Sequence, residues 1–152
     1  MTRLQTLPSA WGITVIRVMA GLIIMVAGLE KWGAGGLTGF TQALTNIGLP
    51  LAAFWGVWIP FQEFVGGLLI LTGLGVRWVA ILFVIEFFVT SFLIKLPSPA
   101  PFGGWDSMRL DLMLWAAAIT IALVGPGAFA LQNLLSTRTR AAVEMAGRPA
   151  TT

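Results

Sequence analysis

The sequence contains no cysteine, no histidine and no tyrosine, and only 10% of its residues are charged. Without thiolates the chain cannot perform thiol–disulfide exchange or hold an iron–sulfur cluster. Without histidine as well, it lacks the usual ligands of haem and zinc, and serine–histidine catalysis is excluded within the chain. No carboxylate pattern marks a metal site in their place. The scarcity of charge argues against a soluble fold. A soluble domain carries about 25% charged residues, and a chain that is 57% hydrophobic would expose large apolar patches to water. The net charge of +3 over 152 residues is small and spread out, apart from Arg138, Arg140 and Arg148 near the end. That pattern fits membrane orientation and not nucleic-acid binding.

What is present is apolar sequence in long runs. A bilayer-crossing helix needs roughly 20 apolar residues, and four stretches meet that length, at about 11–32, 51–74, 76–96 and 107–124. They predict an all-α fold, an integral membrane antiparallel four-helix bundle forming a single transmembrane domain, with residues 128–152 as a cytoplasmic tail. Pro50 falls at the first turn of the second helix, and Pro60 is expected to kink it. Helices two and three are joined by only Gly73 to Arg77, which makes them antiparallel neighbours. The Pro- and Gly-rich segment 97–104 is not helical. Between helices one and two, Leu37, Phe40, Leu44 and Ile47 repeat at three and four residues, with polar residues between them. This spacing predicts a short amphipathic helix at the interface or over the bundle mouth.

Loop charges set the orientation. Arg3, Arg77, Arg138, Arg140 and Arg148 share one side, which places both termini in the cytoplasm. The first helix is long enough to act as an uncleaved signal anchor. Trp11, Trp32, Trp78 and Trp105 fall near helix ends, as an aromatic belt does. Trp55, Trp58 and Trp115 lie further in, where they face lipid or a ligand.

The charges inside the spans carry the most information, because an ionisable group at mid-bilayer costs from about 2.5 kcal/mol upward and therefore turns inward to a partner. At about 1.5 Å per residue, Arg17 lies about 9 Å from the cytoplasmic end of its helix, Glu63 about 16 Å and Glu86 about 15 Å. With the reach of its side chain, Arg17 is expected to join Glu63 and Glu86 in one buried charged layer. One cation facing two carboxylates leaves an excess of negative charge, so either one carboxylate is protonated or a further cation takes part. Gly21, Ile24 and Gly28 share the Arg17 face, Gly56, Gly67 and Ile70 share the Glu63 face, and Thr90 is placed to hydrogen-bond across the bundle. Nearer the outer surface, Glu30, Lys31, Arg109 and Asp111 form a second polar cluster, in which Arg109 is expected to pair with Asp111, Glu30 or Asp106. These charges act either as clamps between helices or as a proton-active or ligand-binding site.

Arg17 with Gly21, Gly28 and Lys31 resembles the first helix of the DoxX family, in which an arginine, spaced glycines and a G-x-x-K element recur. Ile47-Gly48-Leu49-Pro50 resembles the segment before that family's second helix. The run from Glu63 through Gly66-Gly67 to Gly73-Leu74, followed by Arg77, is similar to its E-x-x-G-G-x-x-L-x-x-G-L signature, and Gly125-Pro126-Gly127 resembles its terminator. The likeness covers about residues 10 to 130. It implies a four-helix protein of the bacterial cytoplasmic membrane, associated in some relatives with thiosulfate:quinone oxidoreduction or with membrane redox complexes. Arg17 and Glu63 match the family's intramembrane arginine and glutamate, and Asp111 matches a polar position early in its fourth helix. Where relatives continue with Ser-Leu-Asp after the terminator, this chain reads Ala128-Phe129-Ala130-Leu131-Gln132.

Three functions are compatible with the sequence. The chain is an accessory or redox-associated subunit of a larger membrane complex, or a quinone-interacting oxidoreductase subunit acting through Arg17, Glu63 and Glu86 with Trp55, Trp58 or Trp115 as walls, or a transporter of protons or a small solute. Whether it is itself an enzyme stays open. No intrinsic cofactor is expected, quinone is the candidate ligand, and the expected partners are the bilayer and other membrane subunits.

Overall fold

The structure is a computed structural model that describes residues 6–33, 35–98 and 103–133. Arg3, Arg138, Arg140, Arg148 and most of the 128–152 tail lie outside the described residues, so the orientation inferred from their charges has no structural counterpart. Among the described residues the chain is helical and has no strands: α1 (Thr6–Trp32), α2 (Gly36–Asn46), α3 (Ala52–Thr72), α4 (Val76–Phe88), which continues as a π-helical segment (Val89–Lys95), and α5 (Trp105–Val124). Four stretches are long and apolar enough to cross a membrane: Ala10–Trp32, Ala52–Thr72, Val76–Lys95 and Trp105–Val124. The expected all-α membrane fold is present, and so is the short helix between the first two spans. That helix, α2, turns Leu44 inward.

Small residues set how closely the helices approach. A Cβ on Gly21 would lie 2.6 Å from the backbone nitrogen of Leu71, and one on Gly28 would lie 2.6 Å from that of Phe64. A Cβ on Gly67 would strike the backbone of Met25. Backbone-to-backbone contact of this kind is how membrane helices gain van der Waals energy where lipid competes equally for apolar side chains. The contacts of α1 advance along the chain as those of α3 recede. Gly56 does the same work for α2, since a Cβ there would collide with the side chain of Thr41.

Helices α4 and α5 form the second closely packed pair, pinned by the Trp115 indole N–H, which donates to the Val84 carbonyl at 3.0 Å. Ile24, Ile70, Phe83, Ala118 and Ile121 fill the space between the pairs and are sealed from the surface. Between α3 and α4 the chain reverses over Gly73, Leu74 and Gly75, with both glycines in the left-handed region. Despite this short turn the two helices diverge, and a groove opens between them. α3 runs through Pro60 without interruption.

The outer faces carry exposed Val15, Val57, Ile81, Met113 and Leu123, as a lipid-facing surface does. Trp11, Trp32, Trp78 and Trp105 are all exposed at helix ends, where a belt of indoles sits at the headgroup level. After Gly125-Pro126-Gly127 the chain folds back over the first helix. The Ala128 N–H donates to the Ala10 carbonyl at 3.3 Å, the Thr14 hydroxyl donates to the Ala128 carbonyl at 2.9 Å, and Ala130 is fully buried. Up to Ala130, then, the segment expected to be tail is part of the packed bundle.

Candidate functional site

The charges within the spans separate into two places. Arg17 is buried to 2% exposure, but it does not meet Glu63 or Glu86. Its Nη1 donates to the carbonyls of Ile70 at 3.0 Å and Leu71 at 2.7 Å, and its Nη2 to that of Phe129 at 3.5 Å. The physical reason lies in the end of α3. The last carbonyls of a helix have no partner within it and carry its negative dipole end. Gly73 and Leu74 donate their N–H groups to the carbonyls of Leu69 and Ile70, and the guanidinium supplies donors to Ile70 and Leu71. A planar fork of five donors can serve several carbonyls at once. The single layer of Arg17, Glu63 and Glu86 is thus corrected: Arg17 caps a helix at the α3–α4 turn, and the carboxylates lie elsewhere.

Glu63, on the inner face of α3, pairs with Lys31 at the end of α1. Lys31 also lies 5.4 Å from the ring of Phe40 on α2. Lys95, at the end of the π-helical segment, pairs with Asp111 of α5 at 2.6 Å and donates to the Ser107 carbonyl at 3.0 Å. Glu86 accepts a hydrogen bond from the Gln62 amide at 2.5 Å and, among the described residues, has no salt-bridge partner. Lys31–Glu63 thus ties α1 to α3, and Lys95–Asp111 ties the end of the π-helical segment to α5. The further cation required by charge balance at Glu63 is Lys31, which was placed by sequence in the outer group.

The outer group itself divides. Lys31 pairs with Glu63, and Asp111 with Lys95. Arg109 pairs with Asp106 at 3.2 Å on an exposed turn, one of the partners expected for it. Glu30 is exposed. Thr90 does not reach across the bundle: its hydroxyl donates to the Glu86 carbonyl one turn back, at 2.6 Å.

The groove between α3 and α4 is a cavity of about 490 Å³, whose lining includes Trp55, Trp58, Ile59, Gln62, Ile85 and Glu86. Trp58 and Ile85 are exposed on the outer surface of the bundle, so the groove opens sideways toward lipid. Its wall is apolar apart from Glu86, Gln62, Thr90 and the indole nitrogens. Trp55 and Trp58 line it. Trp115 does not, because its N–H is spent on Val84 and its ring packs against Phe88 and Phe92. Sequence reasoning missed Gln62 and Lys95. Gln62 carried a signal, since it is a polar side chain adjacent to Glu63 in an apolar run. Lys95 and Asp111 flank the same link between spans, 97–104, which is the condition for their pairing. The π-helical segment begins three residues after Glu86, and such segments occur frequently at functional sites. Among the described residues no group of three or more carboxylates is arranged to hold a metal ion.

Comparison with known proteins agrees with this fold. The chain is 35% identical over 120 residues, 79% of its length and 84% of the relative's, to a protein of Bacillus subtilis (strain 168) named "Putative oxidoreductase CatD". It is 30% identical over 135 residues, 83% of its length and 82% of the relative's, to "Uncharacterized membrane protein Rv3486" of Mycobacterium tuberculosis. No solved structure matches it significantly. The DoxX family model matches residues 12–96, a span that holds Arg17, Lys31, Glu63, Glu86 and Lys95, and the chain belongs to the DoxX family.

Proposed function

We propose that this chain is a redox-associated subunit of a larger bacterial membrane complex, and that the groove between α3 and α4 receives a quinone headgroup. The observation that supports this most directly is the groove itself. It is apolar, open to lipid and walled by two indoles, and it contains one carboxyl group that has no cationic partner among the described residues. A quinone is a flat apolar ring with two carbonyl acceptors, and a few fixed polar groups in an apolar pocket are what orient such a ligand. Trp58 and Trp55 would stack on the ring. The Glu86 carboxyl, when protonated, would donate to one carbonyl oxygen and serve as the general acid there. Gln62 would hold Glu86 in place. Arg17 takes no part beyond fixing the end of α3.

Reduction of a quinone to a quinol consumes two electrons and two protons. This chain has no thiol or histidine to hold a redox centre, so the electrons come from a partner subunit or a reduced substrate. The lateral opening favours this reading over solute transport, which needs a path through the bundle. The name carried by the Bacillus subtilis relative points the same way. By the loop charges, we place the α3–α4 turn with Arg77 and both termini on the cytoplasmic side of the membrane.

The test is to purify the protein from native membranes in mild detergent, extract it with organic solvent and quantify bound quinone and co-purifying subunits. Near-stoichiometric quinone and a reproducible partner are expected. A protein that migrates alone and contains no more quinone than the surrounding lipid would reject the proposal.

A further inference from the structure

The groove does not end at its apolar wall. Its lining on α3 runs only from Trp55 to Gln62, and on α4 and the π-helical segment from Leu82 to Ile94. It is therefore shut toward the α3–α4 turn and open toward the opposite end of the bundle. There a second cavity of about 430 Å³ adjoins it, and the two share Leu49, Pro50 and Ile94 as walls. This second cavity is bounded by the link between α2 and α3 and by the end of the π-helical segment, and Asn46 and Pro50 are exposed at its rim. Its lining adds the Asn46 amide, the backbone at Gly48 and the Ser98 hydroxyl, with no charged side chain among the described residues. The Asn46 Oδ1 accepts from the Gln42 amide at 3.1 Å, and the Ser98 hydroxyl donates to the Ile94 carbonyl at 2.6 Å. The Asn46 N–H groups and the lone pairs of the Ser98 oxygen are left for a ligand. Next to the shared wall, Leu51 holds a left-handed backbone at φ 57°, and strained backbone of this kind clusters at ligand clamps.

We propose that the two cavities form one binding site for a neutral amphiphile with a hydroxyl-bearing head, of which a glycerol monoester is the simplest. The head sits in the second cavity, where its hydroxyls accept from the Asn46 amide and donate to the Ser98 oxygen. The chain lies along Trp55, Ile59, Ile85 and Val89, and its burial supplies the affinity. An apolar wall with a few fixed polar groups at one end is what orients such a ligand. The uncharged lining selects the head. A phosphate or carboxylate would leave water for a cavity whose described lining has no cation, whereas a glycerol hydroxyl needs only hydrogen bonds. The closed end of the groove fixes the orientation. The ligand enters from the leaflet opposite the α3–α4 turn, with its head at that membrane face. This site goes beyond the quinone reading and does not rest on it. Chain and quinone would fill the same groove, so each excludes the other.

The chain has no cysteine, so a single introduced thiol reports on one position. Ser98→Cys places it in the second cavity and Ile59→Cys in the groove. Both full-length variants are studied in phosphatidylcholine nanodiscs, which are open on both faces. The first is labelled with a charged, membrane-impermeant maleimide and the second with an apolar one. Monooleoylglycerol is expected to slow both reactions over the same concentration range, by roughly tenfold once it exceeds its dissociation constant about tenfold. Oleoyl lysophosphatidylglycerol, an anion with the same chain, is expected to leave both rates unchanged. If Ser98→Cys fails to fold, Asn46→Cys takes its place. Rates unmoved by monooleoylglycerol would overturn the proposal. Equal protection by the lysophospholipid would overturn the neutral head, and protection at only one position would overturn the continuous site. Quinone binding to the unsubstituted protein in the same discs keeps the two ideas apart. Protection with no quinone binding rejects the quinone reading alone, and quinone binding with no protection rejects this site alone.

Discussion

Lys31, on the last turn of α1, folds back to hold the carboxylate of Glu63 in the middle of α3. The pair ties together the two helices that pack most closely, and it is only partly open to solvent. Removing one partner leaves the other charge under-compensated in a poor solvent for ions, at a cost of about 1–3 kcal/mol. Lys31→Met is expected to lower the thermal midpoint in detergent by that equivalent. The double variant Lys31→Met, Glu63→Gln should recover part of the loss, and a double-mutant cycle measures how much. Equal losses that simply add would show the pair to be uncoupled.

Arg17 is a helix cap by its contacts, so its geometry matters more than its charge. Arg17→Lys keeps the charge but cannot donate to Ile70, Leu71 and Phe129 together. It is expected to destabilise the fold by about 1–3 kcal/mol, since buried carbonyls lose donors, and to leave ligand binding in the distant groove unchanged. Thermal unfolding with parallel quinone titration checks both parts.

The glycines of α1 divide into two kinds. A Cβ at Gly21 or Gly28 would sit against the backbone of α3, whereas one at Gly12 would meet nothing within 4 Å. Gly21→Ala and Gly28→Ala should each cost about 1–3 kcal/mol by forcing α1 away from α3. Gly12→Ala should be neutral or slightly stabilising, because Ala favours the helix by up to about 1 kcal/mol. Chemical denaturation of the three variants, read by circular dichroism, distinguishes them.

Filling the groove should abolish its function without harming the fold. Ile85 lines the cavity and is 59% exposed, so Ile85→Trp can extend into the groove without disturbing the core. Quinone affinity is expected to fall at least tenfold while the unfolding midpoint stays within about a degree, as for a surface change worth less than about 0.5 kcal/mol. Undiminished affinity would place the ligand elsewhere.

Much of this fold could be read from the chain. The spans follow from apolar length, and the amphipathic α2 follows from the spacing of Leu37, Phe40 and Leu44. The value of Glu63 and Glu86 follows from the cost of burying charge. What axial counting cannot supply is the partner. It put Arg17, Glu63 and Glu86 at compatible heights, but height says nothing of which way a side chain turns around the helix, nor of the free carbonyls that end α3. It also placed Lys31 at the surface, although a lysine stem is long enough to return its ammonium group into the bundle. The divergence of α3 and α4 after a short turn, and with it the groove, depends on how α1 and α5 each claim one of the two helices. No local sequence signal encodes that. The π-helical segment from Val89 to Lys95 has no evident cause in its residue pattern.

The central claim is that Glu86 is the polar anchor of a quinone in the groove. Equilibrium titration of a short-chain quinone into the purified protein in lipid nanodiscs, comparing wild type with Glu86→Gln and with empty discs, tests it most directly. Saturable binding beyond the lipid background is predicted, weakened roughly tenfold in Glu86→Gln, the equivalent of about 1.4 kcal/mol. Binding that does not exceed empty discs, or that is equally tight in Glu86→Gln, would contradict it.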